Sequence, residues 1–290
     1  MRRSQTWSKP INCDGVARTW HSANFLPERQ LLLCFGGEIL DQKKGKLVTT
    51  DQVSVLDSEI MLWYPPSCSG DIPSGRSGHA SCVLSSKKEL VIFGGVRNGR
   101  WLNSLSTLDT NRWRWSTIKA TGDAPKPRSY ATITPCDDGS KIVIFGGNDA
   151  DECFNSVHVL EMASGGWTWS HPSTSGPKPS PRTGHTATLL NDGTTLMIYG
   201  GWDPNDEGES DLIFADSFLL DTSTWTWRKG PKAKFEKANS GAATNGGAAR
   251  VGHSSVLAPC KDGLQVLSWG GRVSDNQFAN DFQGLKTKLL

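Results

Sequence analysis

No run of residues in this chain is apolar for long enough to cross a bilayer. The amino-terminal Met1-Arg2-Arg3-Ser4-Gln5-Thr6-Trp7 lacks the apolar stretch of a secretory signal. Charge of one sign is missing too. The 31 Lys and Arg nearly balance 29 Asp and Glu, and no basic run is long enough to follow a phosphate backbone. These absences predict no membrane insertion and no nucleic-acid partner. The seven cysteines, Cys13, Cys34, Cys68, Cys82, Cys136, Cys153 and Cys260, form an odd set without a Cys-x-x-Cys pair. They read as reduced, partly buried thiols of an intracellular protein, cytoplasmic by default, with nucleus or cilium open. No Gly-x-Ser-x-Gly, phosphate loop or dinucleotide fingerprint occurs, so the signatures of common enzyme classes are absent.

What the chain does have is a repeat. An aromatic residue and two glycines recur as Phe35-Gly36-Gly37, Phe93-Gly94-Gly95, Phe145-Gly146-Gly147, Tyr199-Gly200-Gly201 and Trp269-Gly270-Gly271. An arginine opens each unit, at Arg18, Arg76, Arg128, Arg182 and Arg250, and the second glycine follows it by 19, 19, 19, 19 and 21 residues. A fixed register at this period marks a propeller array rather than a pair of unrelated domains.

Each unit reads as four short strands. The first follows the arginine, as in His79-Ala-Ser-Cys-Val-Leu84. A polar turn, three times containing Asp-Gly, leads into the most apolar strand, such as Ile142-Val-Ile-Phe145, which predicts burial on both faces. The paired glycines end it, where only glycine reaches positive φ cheaply or lets two backbones approach closely. A third strand ends in an acid (Asp57, Asp109, Glu161, Asp221), and a fourth carries tryptophan (Trp63, Trp113 and Trp115, Trp167 and Trp169, Trp225 and Trp227). The acid stands six residues before the aligned tryptophan in three units and eight in the Glu161 unit. It is expected to close the turn through backbone amides rather than to catalyse.

The Arg-Ser-Gly-His of residues 76–79, the strand ending in Gly94-Gly95, Asp109 and Trp115 together resemble the kelch repeat, and the resemblance runs over nearly the whole chain. It implies an all-β, five-bladed propeller in a single domain, residues 1–290, with blades at about 18–66, 76–118, 128–172, 182–228 and 250–287. The last unit has room for three strands, while Gln5-Thr-Trp-Ser-Lys-Pro10 looks like Trp167-Thr-Trp-Ser-His-Pro172. Residues 5–10 are therefore expected to supply the missing outer strand of the last blade and close the ring, so that deleting residues 1–10 destabilises the whole. Lys229–Ala249 and Asp203–Asp211 read as solvated loops.

The resemblance also implies a non-catalytic module that binds a protein partner through one face and the channel mouth. The favoured ligand is an acidic or carboxylate-ended peptide segment. Two alternatives stay open: a subunit docked permanently in a large assembly, and a metal-dependent enzyme. No BTB, F-box or BC-box segment accompanies the repeats. The Tyr/Cys/His centre of kelch-like copper oxidases and the Glu-x-x-x-Asp-x-x-x-His run of specifier proteins are also missing. No cofactor is expected, and the chain reads as a monomeric propeller or a subunit of a larger complex.

The candidate partner-binding residues are Arg18, Arg76, Arg128, Arg182 and Arg250, with Trp101 and Trp202 as apolar anchors. Five guanidiniums at one height repel unless carboxylates or a ligand compensate them. Reversing two of these charges is expected to abolish binding and spare stability. His21, His79, His185 and His253 share one slot, with Ala131 in the third unit. The slot is expected to pack and hydrogen-bond to neighbouring backbone rather than hold a metal.

Overall fold

The computed structural model describes residues 15–163, 165–205, 213–231, 249–261, 263–274 and 277–286. Within them the chain is all-β, with three short 3-10 turns and no α-helix, and thus no helix long and apolar enough to cross a membrane. Five antiparallel sheets follow one another as blades. Blade 1 runs Ser22–Leu26, Leu31–Phe35, Val53–Asp57 and Leu62–Tyr64. Blade 2 runs Ala80–Leu84, Glu89–Phe93, Leu105–Asp109 and Arg114–Thr117, and blade 3 Thr132–Cys136, Lys141–Phe145, Val157–Ala163 and Gly166–Ser170. Blade 4 holds Thr186–Leu189, Thr195–Tyr199, Ser217–Asp221 and Thr226–Lys229. Blade 5 holds Ser254–Cys260, Gly263–Trp269 and Phe282–Lys286. The expected closing strand, residues 5–10, lies outside the described residues, as do the stretch 232–248 and most of the acidic insertion after Asn205.

The second strand of each blade is apolar because it is covered on both sides. Leu90, Val91, Ile92 and Phe93 are buried, as are Ile142, Val143, Ile144 and Phe145. Between blades the aromatic residue before the glycine pair meets the outer tryptophan of the next blade. Phe35 lies 5.0 Å from Trp115, Phe93 5.6 Å from Trp169 and Phe145 5.3 Å from Trp227, centroid to centroid. The outer tryptophans are thus the wedges between blades. The strand-ending acids close turns: Asp57 Oδ1 accepts the amides of Glu59 and Ile60, Asp109 Oδ1 those of Asn111 and Arg112, and Asp221 Oδ1 those of Ser223 and Thr224. The linkers into blades 2, 3 and 4 then reach forward. Ser69–Gly70 and Thr121–Gly122 add a short parallel strand to the outer edge of the following blade.

Why the glycines come in pairs is visible at each joint. The second glycine donates its amide to the carbonyl of the next blade's opening arginine: Gly37 to Arg76 at 2.8 Å, Gly95 to Arg128 at 2.8 Å, Gly147 to Arg182 at 2.9 Å, Gly201 to Arg250 at 2.6 Å. The first glycine lies against the same carbonyl. A Cβ on Gly146, whose φ is +67, would stand 2.7 Å from the Arg182 oxygen and 2.6 Å from the His185 ring. Gly146→Ala is therefore expected to lower stability by roughly 2 to 4 kcal/mol, read as a lower urea midpoint. An unchanged midpoint contradicts this joint.

Candidate functional site

The five opening arginines are not a free ring of charge. Arg76, Arg128, Arg182 and Arg250 are each at most 3% exposed, and Arg18 is half-buried. Each sends Nη1 to the carbonyl of the first glycine of its own blade: Gly36 at 3.2 Å, Gly94 and Gly146 at 3.0 Å, Gly200 at 2.9 Å and Gly270 at 2.8 Å. The Nε groups of Arg76, Arg128 and Arg182 donate to the carbonyls of Ser74, Lys126 and Ser180. The guanidinium therefore ties the start of a blade to the end of its second strand. Reversing such a charge would set a carboxylate against carbonyl oxygens, so the expectation that stability is spared does not fit this geometry.

Sequence reasoning missed the residue that completes each guanidinium's shell. It directly precedes the third strand in all five blades: Gln52, Ser104, Ser156, Asp216 and Asp281. Its carbonyl also accepts the amide of the first glycine in every blade. In blades 4 and 5 it is an acid. Asp216 binds Arg182 at 2.8 and 3.3 Å through both oxygens, and Asp281 binds Arg250 at 2.7 Å. In blade 3 it is Ser156, but Asp149 and Glu152 act on Arg128.

Blades 1 and 2 lack that compensation. Arg18 finds Gln52 and Ser54, and Arg76 finds Ser104 at 3.0 Å. Burial first, then the like charge of Arg97, pushes Arg76 down to about 10, and no carboxylate contributes; Arg18 is lowered by its burial. Arg128 is also pushed to about 10 by burial, with Asp149 and Glu152 opposing the fall. An aromatic cover is present in blades 3 and 4, while blade 5 has Ala279 at this loop position. Arg128 lies 4.0 Å from the Phe154 centroid and Arg182 4.4 Å from Phe214. The residues at this loop position in blades 1 and 2, Thr50 and Leu102, are not aromatic.

The loops after the glycine pairs share the face onto which these arginines open, and their charges are divided. Exposed Arg97 and Arg100 stand over blade 2 with no acid in their loop, Lys43, Lys44 and Lys46 share the blade 1 loop with Glu38, Asp41 and Asp51, and Asp149, Asp151 and Glu152 stand over blade 3. The hairpin of Glu38–Asp41 with Lys46–Thr49 also presents Leu40 and Leu47 as an exposed cross-strand pair. Glu38 accepts the Ser77 hydroxyl at 3.0 Å. The two loop tryptophans bridge blades. Trp101 Nε1 donates to Ser129 Oγ at 3.1 Å, and Trp202 lies under the Arg272 guanidinium at 4.6 Å. Both are partly exposed.

The slot histidines tie each inner strand to the preceding blade. His79 Nε2 meets Ser22 Oγ at 2.9 Å, His185 meets Thr132 at 3.0 Å and His253 meets Thr186 at 3.0 Å. These partners are side-chain hydroxyls, and backbone groups also act on the rings as expected, that of Arg76 on His79 and those of Arg182 and Phe145 on His185. Among the described residues no three His, Cys, Asp or Glu side chains gather as metal ligands, and the six described cysteines are free.

Residues 20–245 match the KLHDC2/KLHL20/DRC7 Kelch-repeats domain. Host cell factor 1 of Homo sapiens is 30% identical over 247 residues, covering 77% of this chain and 11% of that protein. Acyl-CoA-binding domain-containing protein 4 of Arabidopsis thaliana is 34% identical over 198 residues, covering 68% of this chain and 27% of that protein. The chain thus spans only a small part of these relatives. The solved structure of YjhT superposes with a TM-score of 0.68 at 15% identity, covering 93% of this chain and 82% of that one.

Proposed function

The chain belongs to the kelch-repeat family, and from that premise we propose that it takes an acidic or carboxylate-ended protein segment on the loop face above blades 1 and 2. Family membership is consistent with a protein-interaction module rather than an enzyme. The observation that carries the finer reading is the unequal compensation of five equivalent arginines. Blades 3 to 5 supply carboxylates to Arg128, Arg182 and Arg250, and blades 1 and 2 leave Arg18 and Arg76 with neutral partners.

A partner carboxylate near Ser104 would supply to Arg76 what Asp216 supplies to Arg182, in a setting where charge-assisted bonds are strong. Exposed Arg97 and Arg100 make the first encounter, and Leu40, Leu47 and Trp101 offer apolar contacts beside them. Arg128, Arg182, Arg250 and Trp202 then act indirectly, by holding the loops in place.

The test uses a fluorescein-labelled peptide of alternating Glu and Leu with a free carboxyl end. Arg97→Glu with Arg100→Glu, both on exposed positions, is expected to raise Kd about tenfold or more and leave the melting temperature unchanged. Binding to the unaltered protein is expected to weaken as salt rises. Equal affinity in the reversed variant removes this site from consideration.

A further inference from the structure

The turn between the first and second strands lies at the far end of each blade from the opening arginine, on the face opposite the loops. At three joints a cation beside this turn covers the first of the next blade's paired tryptophans. Arg29 lies 5.3 Å from the Trp113 centroid, Lys87 4.6 Å from Trp167 and Lys141 5.8 Å from Trp225. The three are satisfied differently. Lys141 meets Asp137 at 3.0 Å and Glu161 at 3.8 Å, and Lys87 donates to Met162 Sδ at 2.9 Å. Arg29 donates from Nη1 to the Thr110 carbonyl, and among the described residues no carboxylate pairs with it. A guanidinium has further N–H donors, so most of its fork has no protein partner.

Beside Arg29 the joint between blades 1 and 2 is hollow. A cavity of about 150 Å³ opens there between Leu26 and Pro27 of one blade and Val83 of the next, with Arg29, Lys88 and Asn111 among its polar lining. Sequence differences between equivalent joints account for it. Between blades 2 and 3 the turn closes on Leu84, because Gly139 has no side chain; a Cβ there would stand 3.2 Å from Leu84 Cδ2. The same slot in blade 2 is Lys87, whose side chain leaves for Trp167. The residue after the strand-ending acid also differs, being Met162 in blade 3 and Thr110 in blade 2. Met162 reaches across to Lys87, whereas the shorter Thr110 turns its hydroxyl to the Lys88 carbonyl at 2.7 Å. Space that a methionine would occupy is left open.

Volume and lining limit what fits. A cavity of this size with apolar walls holds one benzene-sized ring. A ring buried there takes the surfaces of Leu26, Pro27 and Val83 out of water. Charge at the mouth favours an anion. Lys88 is paired with Glu28 at 3.7 Å, which leaves Arg29 as the cation without a carboxylate. Its guanidinium is already held by Thr110 and Trp113, so little side-chain freedom is lost when a carboxylate takes the remaining donors. We infer that this cavity is a binding site for a small aryl carboxylate, with the ring between Leu26 and Val83 and the carboxylate on Arg29. The site is separate from the loop face and does not rest on the peptide reading.

The probe is 3-phenylpropionate, titrated into the full chain and followed by NMR at the methyl groups of Leu26 and Val83. That readout separates the cavity from any carboxylate bound on the loop face. A Kd of about 1 mM or below is expected, the range for a ligand of this size. The uncharged 3-phenylpropanamide is expected to bind about tenfold more weakly, and Arg29→Gln to remove that difference while keeping a donor for Thr110. Thr110→Met gives blade 2 the residue of blade 3. It is expected to fill the space, weaken binding of the acid at least about tenfold, and hold or raise the melting temperature. Gly-Gly-Phe carries the same ring and carboxylate on a chain end; tighter binding than the free acid assigns the site to peptide ends, and weaker binding to free acids. Absence of methyl shifts at about 10 mM acid overturns the site. So do equal affinities of acid and amide, or a Thr110→Met protein that binds the acid as the parent does.

Discussion

Arg182→Ala lowers the stability of the propeller by about 3 kcal/mol, and Arg182→Glu leaves it largely unfolded at room temperature. The guanidinium has no exposed surface and serves four groups at once: the Ser180 and Gly200 carbonyls, both Asp216 oxygens and the Phe214 ring. Alanine leaves the Gly200 carbonyl, buried in the joint with blade 5, without its donor, and removes the aliphatic stem that packs there. Glutamate does worse, because a carboxylate would face two carbonyl oxygens and Asp216. Urea unfolding followed by tryptophan fluorescence reads both effects. A midpoint for Arg182→Ala within error of the parent contradicts the structural role of the arginine set. Arg97, exposed on the same face, is the control: its reversal leaves the midpoint unchanged.

Acid unfolds the protein because buried histidines, and not only carboxylates, take up protons. His79, His185 and His253 are held at about 3, each by burial first and then by the arginine of its own blade, which opposes a second positive charge beside it. In the unfolded chain the same groups bind a proton near their ordinary value of 6.5. The folded state therefore holds fewer protons below that value. Stability is complete above it and falls as pH drops from about 6.5 towards 3. Each histidine costs about 1.4 kcal/mol per pH unit across that window, so three of them exhaust an ordinary domain's stability within about two to three units. His158, held at about 4 by burial, then by Arg128, acts in the same sense. Far-ultraviolet circular dichroism is expected to show loss of structure between about pH 5 and 4. His185→Gln should move that transition to lower pH, since it removes a protonating group and keeps a polar partner for Thr132. A protein that stays folded to pH 3 would show that these rings are solvated.

The features legible in the sequence are those that depend on one residue and its near neighbours. Glycine pairs announce themselves because no other residue tolerates a Cβ against the next blade's carbonyl. Asp57, Asp109 and Asp221 could be read as turn closers because they bond amides only two and three residues on. The buried second strands follow from uninterrupted apolar residues. The arginines were harder, since sequence register fixes their height but not whether they face the channel or their own blade.

The shell residue was hidden for a simple reason. Gln52, Ser104, Ser156, Asp216 and Asp281 stand 16, 10, 10, 16 and 11 residues after the first glycine of their units. Loops of unequal length conceal a position that folding makes equivalent. Trp101 and Trp202 illustrate the same limit, because a loop tryptophan that reaches the next blade reads like one that faces solvent.

The division between compensated and uncompensated arginines can be tested at one position. Ser104→Asp places beside Arg76 the group that Asp216 provides beside Arg182, and Ser104 is exposed enough to accept it. Titrating the labelled Glu-Leu peptide into this variant and into the parent, at the same low salt, compares an internal carboxylate with an external one for the same guanidinium. The expected result is a Kd raised about tenfold, with a melting temperature that holds or rises. Peptide affinity equal to or tighter than the parent's would contradict the claim that blades 1 and 2 await a partner's carboxylate.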